Sequence, residues 1–429
     1  MSFGTGLSGL NAASKNLDVI GHNIANANTT GMKAGRAEFS EMYASSLGAA
    51  GGSNGGIGVS VATVSQMFTQ GNIKVTGNNM DLAVNGEGFF KVAATDGSIA
   101  YTRNGEFKLD KEGYIITNNG AKLQGYETDA DGKRTSVITS NLQLPTGSVI
   151  APRATGTDPD PLRQGIFLTA NLNATTTPQL PSPAVAPLPA SQKTFGTALN
   201  VYDAVGNAVP LEVYFVKGST ANEWQVEAST DGGTTLLPMG NITFDPTTGM
   251  PVANTLTGIT IPAAVAPAVV PSADIVIPPL NIGAGTTESP YTLTQYGSKF
   301  SVYDLKQDGY SPGELTSVTI GEDGLLSARY SNGTSQAAGQ IGLTTFRNPQ
   351  GLQPINGGYW QATSASGDAV QGAPQEGRMG LIRSGALEES NVDMTAELVN
   401  MIVAQRSYQA NAQTIKTQDQ VLSTLVNLR

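Results

Sequence analysis

Apolar side chains recur every seven residues at both ends of this chain. Near the C-terminus Met394, Met401, Tyr408, Ile415 and Leu422 form one row; Leu398, Ala412 and Val426 form a second, broken by Gln405 and Asp419. That is the a/d seam of an α-helix that needs a partner helix. No Gly or Pro interrupts residues 391–429. Ser390 or Asn391 is placed to cap the first amides, and Asp393 and Glu397 complement the positive end of the helix dipole. Such a helix would be roughly 55 Å long. At the other end Phe3, Leu10, Leu17 and Ile24 repeat with the same period, beside Leu7, Ala13, Ile20 and Ala27, and Gly31 should close the segment. Two seams at two extremities predict one helical coiled-coil domain from residues 1–30 and 390–429. Its assembly seam is expected at Leu7, Leu10, Leu17, Ile20 and Ile24 on one side, and Leu398, Met401, Tyr408, Ile415, Leu422 and Val426 on the other.

The other faces of the C-terminal helix carry Ala404, Ser407, Ala410, Asn411, Gln413, Thr414, Thr417 and Gln418. A helix solvated on its back is normally laced with Glu/Lys pairs. This one is polar but nearly uncharged, which suits contact with neighbours on several sides. Packing between subunits is expected on that ground, with a helix hairpin inside one domain as the plainer alternative.

Between the ends the pattern changes. Residues 31–70 read as a linker: Phe39, Met42, Tyr43 and Leu47 suit a short amphipathic turn, and Val59, Val61 and Val64 alternate as a strand would. The Gly-rich tract between them predicts a hinge at Gly51, Gly52, Gly55 and Gly56. From 71 to 147 short strands (Leu82–Val84, Phe89–Val92, Phe107–Leu109, Tyr114–Ile116) are punctuated by the hairpin dipeptides Asn85-Gly86, Asn104-Gly105 and Asn119-Gly120. Residues 148–288, bordered by composition shifts and crossed by two Pro/Ala tracts, read as an inserted β domain. Ala198–Tyr202, Leu211–Val216 and Trp224–Glu227 are its strands, the first two flanking the turn Val205-Gly206-Asn207. Residues 289–385 return to strand-and-turn patterning and are expected to complete the first β domain. The fold class is therefore multidomain and mainly β with a terminal α-helical coiled coil, its domains nested and discontinuous.

Composition narrows function more than fold. With 429 residues, 14% charged residues and a net charge of −10, no basic patch is present to suggest nucleic acid. The absence of cysteine excludes disulfides and thiol chemistry. No run of 18 apolar residues predicts a transmembrane helix, and Met1–Gly6 lacks the features of a cleaved signal peptide. Gly4–Gly9 matches the dinucleotide fingerprint in letters, but only three residues precede it, too few for the strand that should feed it. Glu127–Gly132 resembles the opening of a calcium loop, yet Ile138 stands where the bidentate Glu belongs. His22 is the only histidine and reads as a helix-surface residue. No catalytic, metal or cofactor constellation emerges.

Several longer runs carry a resemblance. Leu10–Ala13, Asn16–Gly21, Asn23–Asn26 and Asn28–Lys33 resemble the N-terminal signature of the bacterial flagellar rod and hook axial proteins. Asn85–Phe90 and Tyr101–Phe107 are similar to that family's body motifs, and Gly385–Asp393, Leu398–Arg406 and Asn411–Thr417 to its C-terminal signature. Met32 and His22 depart from the usual aromatic and Asn. The large insertion at about 148–288 makes the chain most similar to the hook members.

The resemblance implies a structural subunit whose terminal helices form the inner tube of a curved, hollow homopolymer. That polymer acts as a universal joint carrying torque from rod to filament. It implies an extracellular place in the flagellum and export by the flagellar type III apparatus without a cleaved signal peptide. The implied neighbours are a rod protein at the proximal end and hook cap and hook–filament junction proteins at the distal end. It implies neither enzyme activity nor cofactor. The alternatives are a distal rod or hook-associated protein, a secreted β-rich adhesin, or an enzyme.

Overall fold

The computed structural model describes residues 3–43, 56–145, 149–178, 186–262, 274–282, 284–286 and 289–427. It is mainly β, with one long helix at each end: α1, Phe3–Ala25, and α2, Met394–Asn427. The chain divides into two compact units. The first comprises Met1–Thr146, Ser317–Arg329 and Ser335–Arg429; the second comprises Gly147–Thr316 and Tyr330–Thr334.

In the first unit the antiparallel strands Phe89–Ala93, Lys122–Thr128 and Ser335–Ile341 lie side by side in one sheet. Their alternate residues Phe90, Val92, Leu123 and Ile341 are fully buried, joined in the core by Leu82, Phe107, Ile115 and Leu343. A second, aromatic cluster packs Phe68, Phe89, Tyr101, Phe346 and Trp360 edge to face at 4.8–6.0 Å. Only one of the three Asn-Gly pairs turns a hairpin: Asn119-Gly120 joins the paired strands Ile115–Thr117 and Lys122–Thr128, with Gly120 at φ 79°. Asn85-Gly86 ends a strand, Leu82–Asn85, that pairs with Leu381–Ser384 instead of its sequence neighbour.

Residues 35–43 and 56–66 are not a bending linker. Gly35–Tyr43 (β1) and Gly56–Gln66 (β2) form an antiparallel ribbon from Gly35↔Gln66 to Tyr43↔Gly56, with register shifts at Glu38/Phe39 and Met42/Tyr43. Phe39 and Met42 are therefore on a strand, not an amphipathic turn. The ribbon packs along α1, and pairing with β2 holds β1, whose Arg36, Glu38 and Glu41 hide it in the sequence. Of the expected hinge, Gly56 opens β2 and so is held by pairing; Gly51, Gly52 and Gly55 lie outside the described residues.

The second unit is a sandwich. One sheet is the meander Gly196–Tyr202, Ala208–Lys217, Glu223–Ser229, Leu237–Phe244 and Pro251–Asn254. The other sets Ile166–Asn173 between Ser289–Tyr296, which runs parallel to it, and Ser301–Gln307, which runs antiparallel. Leu168, Leu172, Phe215, Trp224, Val226 and Leu293 meet in its core. These pairings correct the domain boundary: residues 289–316 complete this unit, not the first β domain. The reason is non-local, since Ser289–Tyr296 finds its partner strand more than a hundred residues earlier.

Glu227 is buried in this unit, opposite Tyr214 on the neighbouring strand, with Gln225 donating to its carboxylate at 2.7 Å. Burial pushes its pKa up to about 7, whereas an unfolded glutamate titrates near about 4.3. Stability from the protonated form is thus full below the unfolded value and is lost as pH rises toward about 7. The second unit should be more stable at pH 5 than at pH 8 by on the order of 1–3 kcal/mol, and Glu227→Gln should flatten the difference. Urea unfolding followed by Trp224 fluorescence in a Trp360→Phe background measures this; equal slopes in parent and variant would refute it.

Candidate functional site

The two helices approach through small residues. A side chain at Gly6 would meet Ile415 Cγ1 at 3.2 Å, and one at Gly9 would meet the Asn411 amide at 3.0 Å. Ala404 is the only described residue of α2 that is buried. The face turned toward α1 is therefore Glu397, Ala404, Asn411 and Ile415, rotated from the expected apolar seam. Small side chains win because they let the backbones come close.

The expected seam residues are divided by this geometry. Ile20 is buried, and Leu10, Leu17, Ile24, Met401 and Ile415 are half-buried, whereas Leu7, Leu398, Tyr408 and Leu422 are exposed; the Val426 side chain lies outside the described residues. Val399, Ile402, Val403 and Val421 on α2 are exposed as well. A 34-residue helix with one buried position among its described side chains is held mainly along its one face on α1.

The roots of both helices are tied into the β body by buried polar groups. Asn23, on the last turns of α1, makes a reciprocal pair with the Gly35 backbone, both bonds 2.8 Å. Gly31 sits at φ +70°, where an added Cβ would lie 2.5 Å from the Arg103 carbonyl carbon. Its amide donates to the Glu388 carbonyl at 2.8 Å. Thus α1 stops at Ala25, and Gly31 serves a later close approach.

Beside it lies an ion knot spanning the whole chain. The Glu388 carboxylate takes Lys33 Nζ at 2.6 Å and Arg103 Nη1 at 3.1 Å, with the Lys33 and Glu388 side chains at 0% exposure. The Gly71 amide donates to the same carboxylate at 2.9 Å. Lys33 also donates to Thr69 O, and Arg103 Nη2 to Gly86 O, both at 2.8 Å. Loss of solvent lowers the pKa of Lys33 and of Arg103, while Glu388 pulls each back up. Nothing in the spacing of residues 33, 103 and 388 signals this knot. The only hint is that all three stand inside the motif runs.

Asn391 braces the start of α2 from outside it: its Oδ1 accepts from the Ala34 amide, and its Nδ2 donates to Met67 O and Thr69 Oγ1. The helix cap itself is Asp393, whose Oδ1 accepts from the Thr395 and Ala396 amides at 2.9 and 3.1 Å. Ser390 and Asn391, the expected caps, lie too early. Asp393→Ala should cost the helix about 1 kcal/mol. Lower far-ultraviolet helicity at unchanged β signal would report it, and unchanged helicity would contradict it.

Gly4–Gly9 lies within α1, where no phosphate-binding turn exists. Asp129 accepts from the Asp131 and Lys133 amides, so Glu127–Gly132 is a self-satisfied turn. His22 is exposed, its Nδ1 3.3 Å from Asn26 Nδ2. Among the described residues no group of three acidic or histidine side chains is placed to hold a metal, and no helix is long and apolar enough to cross a membrane.

Comparison with known proteins gives these helices and sheets a family. Residues 3–33 match the family model "flagella basal body rod protein", and 383–428 "flagellar basal body rod FlgEFG protein C-terminal". Residues 83–155 match "flagellar hook protein FlgE/F/G D1 domain" and 171–310 "flagellar basal body protein FlaE D2 domain". The flagellar hook protein FlgE of Escherichia coli K12 is 38% identical over 100% of both chains, and that of Salmonella typhimurium LT2 39% over 100% of both. The chain belongs to the flagellar hook protein FlgE family. Membership makes it a structural protein, not an enzyme. The FlgE of Treponema pallidum is 31% identical over 99% of this chain and 98% of its own, so the family relation spans the insertion as well as the ends. Among solved structures, Helicobacter pylori FlgE2 superposes with a TM-score of 0.49 at 16% identity, covering 73% of this chain and 100% of that one.

Proposed function

We propose that this hook-family subunit polymerises through its terminal helices, which form the inner wall of a curved hollow tube. The tube carries torque from rod to filament while bending, as a universal joint. The observation that supports this is α2: 34 residues, one buried position among its described side chains and a run of exposed apolar ones. An exposed apolar surface of that extent on a marginal helix calls for a partner, and unlike surfaces that meet without closing make a helical polymer. Family membership supports the finer reading: export through the flagellar type III apparatus without a cleaved signal peptide, a rod protein at one end, and cap and hook–filament junction proteins at the other. Electron microscopy of concentrated, salted-out protein tests the reading. Curved hollow tubes are expected; straight tubes would favour a rod role, and no polymer would defeat the proposal.

A further inference from the structure

Helix α2 has two faces of different character. Glu397, Ala404 and Asn411, spaced by seven, look onto α1 and the β1–β2 ribbon across a cavity of about 490 Å3. Val399, Ile402 and Arg406 follow i, i+3 and i+7 on the far side; the first two are 56% and 51% exposed.

Charge on these faces is incomplete. Glu397 is half-buried, and its Oε2 is shielded with no described group of the chain hydrogen-bonding it. A carboxylate oxygen removed from water without a donor is costly. On the far side, no described carboxylate pairs with Arg406. The described part of α2 carries only four charges: Glu397, Arg406, Lys416 and Asp419.

We infer that Arg406 of one copy enters this cavity in a second copy and closes on Glu397, with Val399 and Ile402 covering its rim. The inference rests on the polymer reading above and names the contact. A guanidinium suits the site because its fork of donors can satisfy a carboxylate and lose hydration at modest cost. A second copy is the occupant that the surfaces specify. One helix presents an apolar face bearing an unpaired cation and, behind it, a groove bearing an orphaned anion, and such a contact does not close on itself. Lys416 is the control, since it stands about four turns beyond Ile402, away from the apolar pair.

The test compares the full-length parent with Glu397→Arg, Arg406→Glu, the double exchange, and Glu397→Arg combined with Lys416→Glu. Circular dichroism confirms folding, and Glu397→Gln replaces Glu397→Arg if the latter unfolds. The protein concentration needed for sedimentable tubes should rise about tenfold or more in each single reversal, the scale of one lost charged contact. Glu397→Gln should raise it as well. The double exchange should return near the parent. It retains whatever dipole penalty the introduced guanidinium brings to the first turn, so recovery cannot be a helix effect. Single variants that assemble like the parent, no recovery in the double exchange, or recovery with Lys416→Glu would each overturn the contact while leaving the hook reading intact. Absence of tubes from the parent would instead remove the reading beneath it.

Discussion

Glu388→Ala is expected to destabilise the first unit by about 3–5 kcal/mol, the cost of breaking a buried ion pair from one side. The substitution strands Lys33 Nζ and Arg103 Nη1, both within 3.1 Å of that carboxylate, and leaves the Gly71 amide without its acceptor. Desolvation already lowers the pKa of both cations, and Glu388 is what opposes it. Lys33→Met should be milder, because Arg103 still neutralises the carboxylate and the thioether fills the space. Urea unfolding followed by Trp360 fluorescence in a Trp224→Phe background measures both. A Glu388→Ala loss below about 1 kcal/mol, the scale of a surface pair, would mean that the knot contributes little.

The second large effect is on assembly. Removing Met394–Arg429 should leave both β units folded and abolish polymer. Neither unit's core uses α2, so the near-ultraviolet signal and cooperative unfolding should survive. The deletion removes the exposed apolar surface of Leu398, Val399, Ile402 and Val403, and with it the area that would offset the entropy of association. Sedimentation at concentrations where the parent forms tubes decides the matter. Tubes from the truncated chain would show that the β units assemble unaided.

The two helices are legible in the sequence because two rows at the seven-residue period run side by side there, without Pro. Trp224–Glu227 is legible because Trp224 and Val226 alternate as a strand would, although burial continues through Glu227. Where the pattern misleads, the deciding contacts are distant in sequence. Arg36, Glu38 and Glu41 make β1 look like linker, and pairing with β2 makes it a strand. Residues 289–316 resemble the first β domain in pattern, but Ile166–Asn173 supplies their partner. The seam is rotated because Gly6, Gly9 and Ala404 choose the contact by being small, whereas an apolar count rewards size. Lys33, Arg103 and Glu388 give no spacing signal, because a knot joining residues 355 apart exists only once the chain has folded.

Amide hydrogen exchange of dilute monomer and of assembled tubes, read over residues 3–25 and 394–427, tests most directly whether the helices depend on other copies. Exchange in the monomer should be fast in α2 relative to the strands around Phe90 and Trp224, and should slow strongly on assembly. A monomer whose α2 is already as protected as those strands, with no change on polymerisation, would contradict the account.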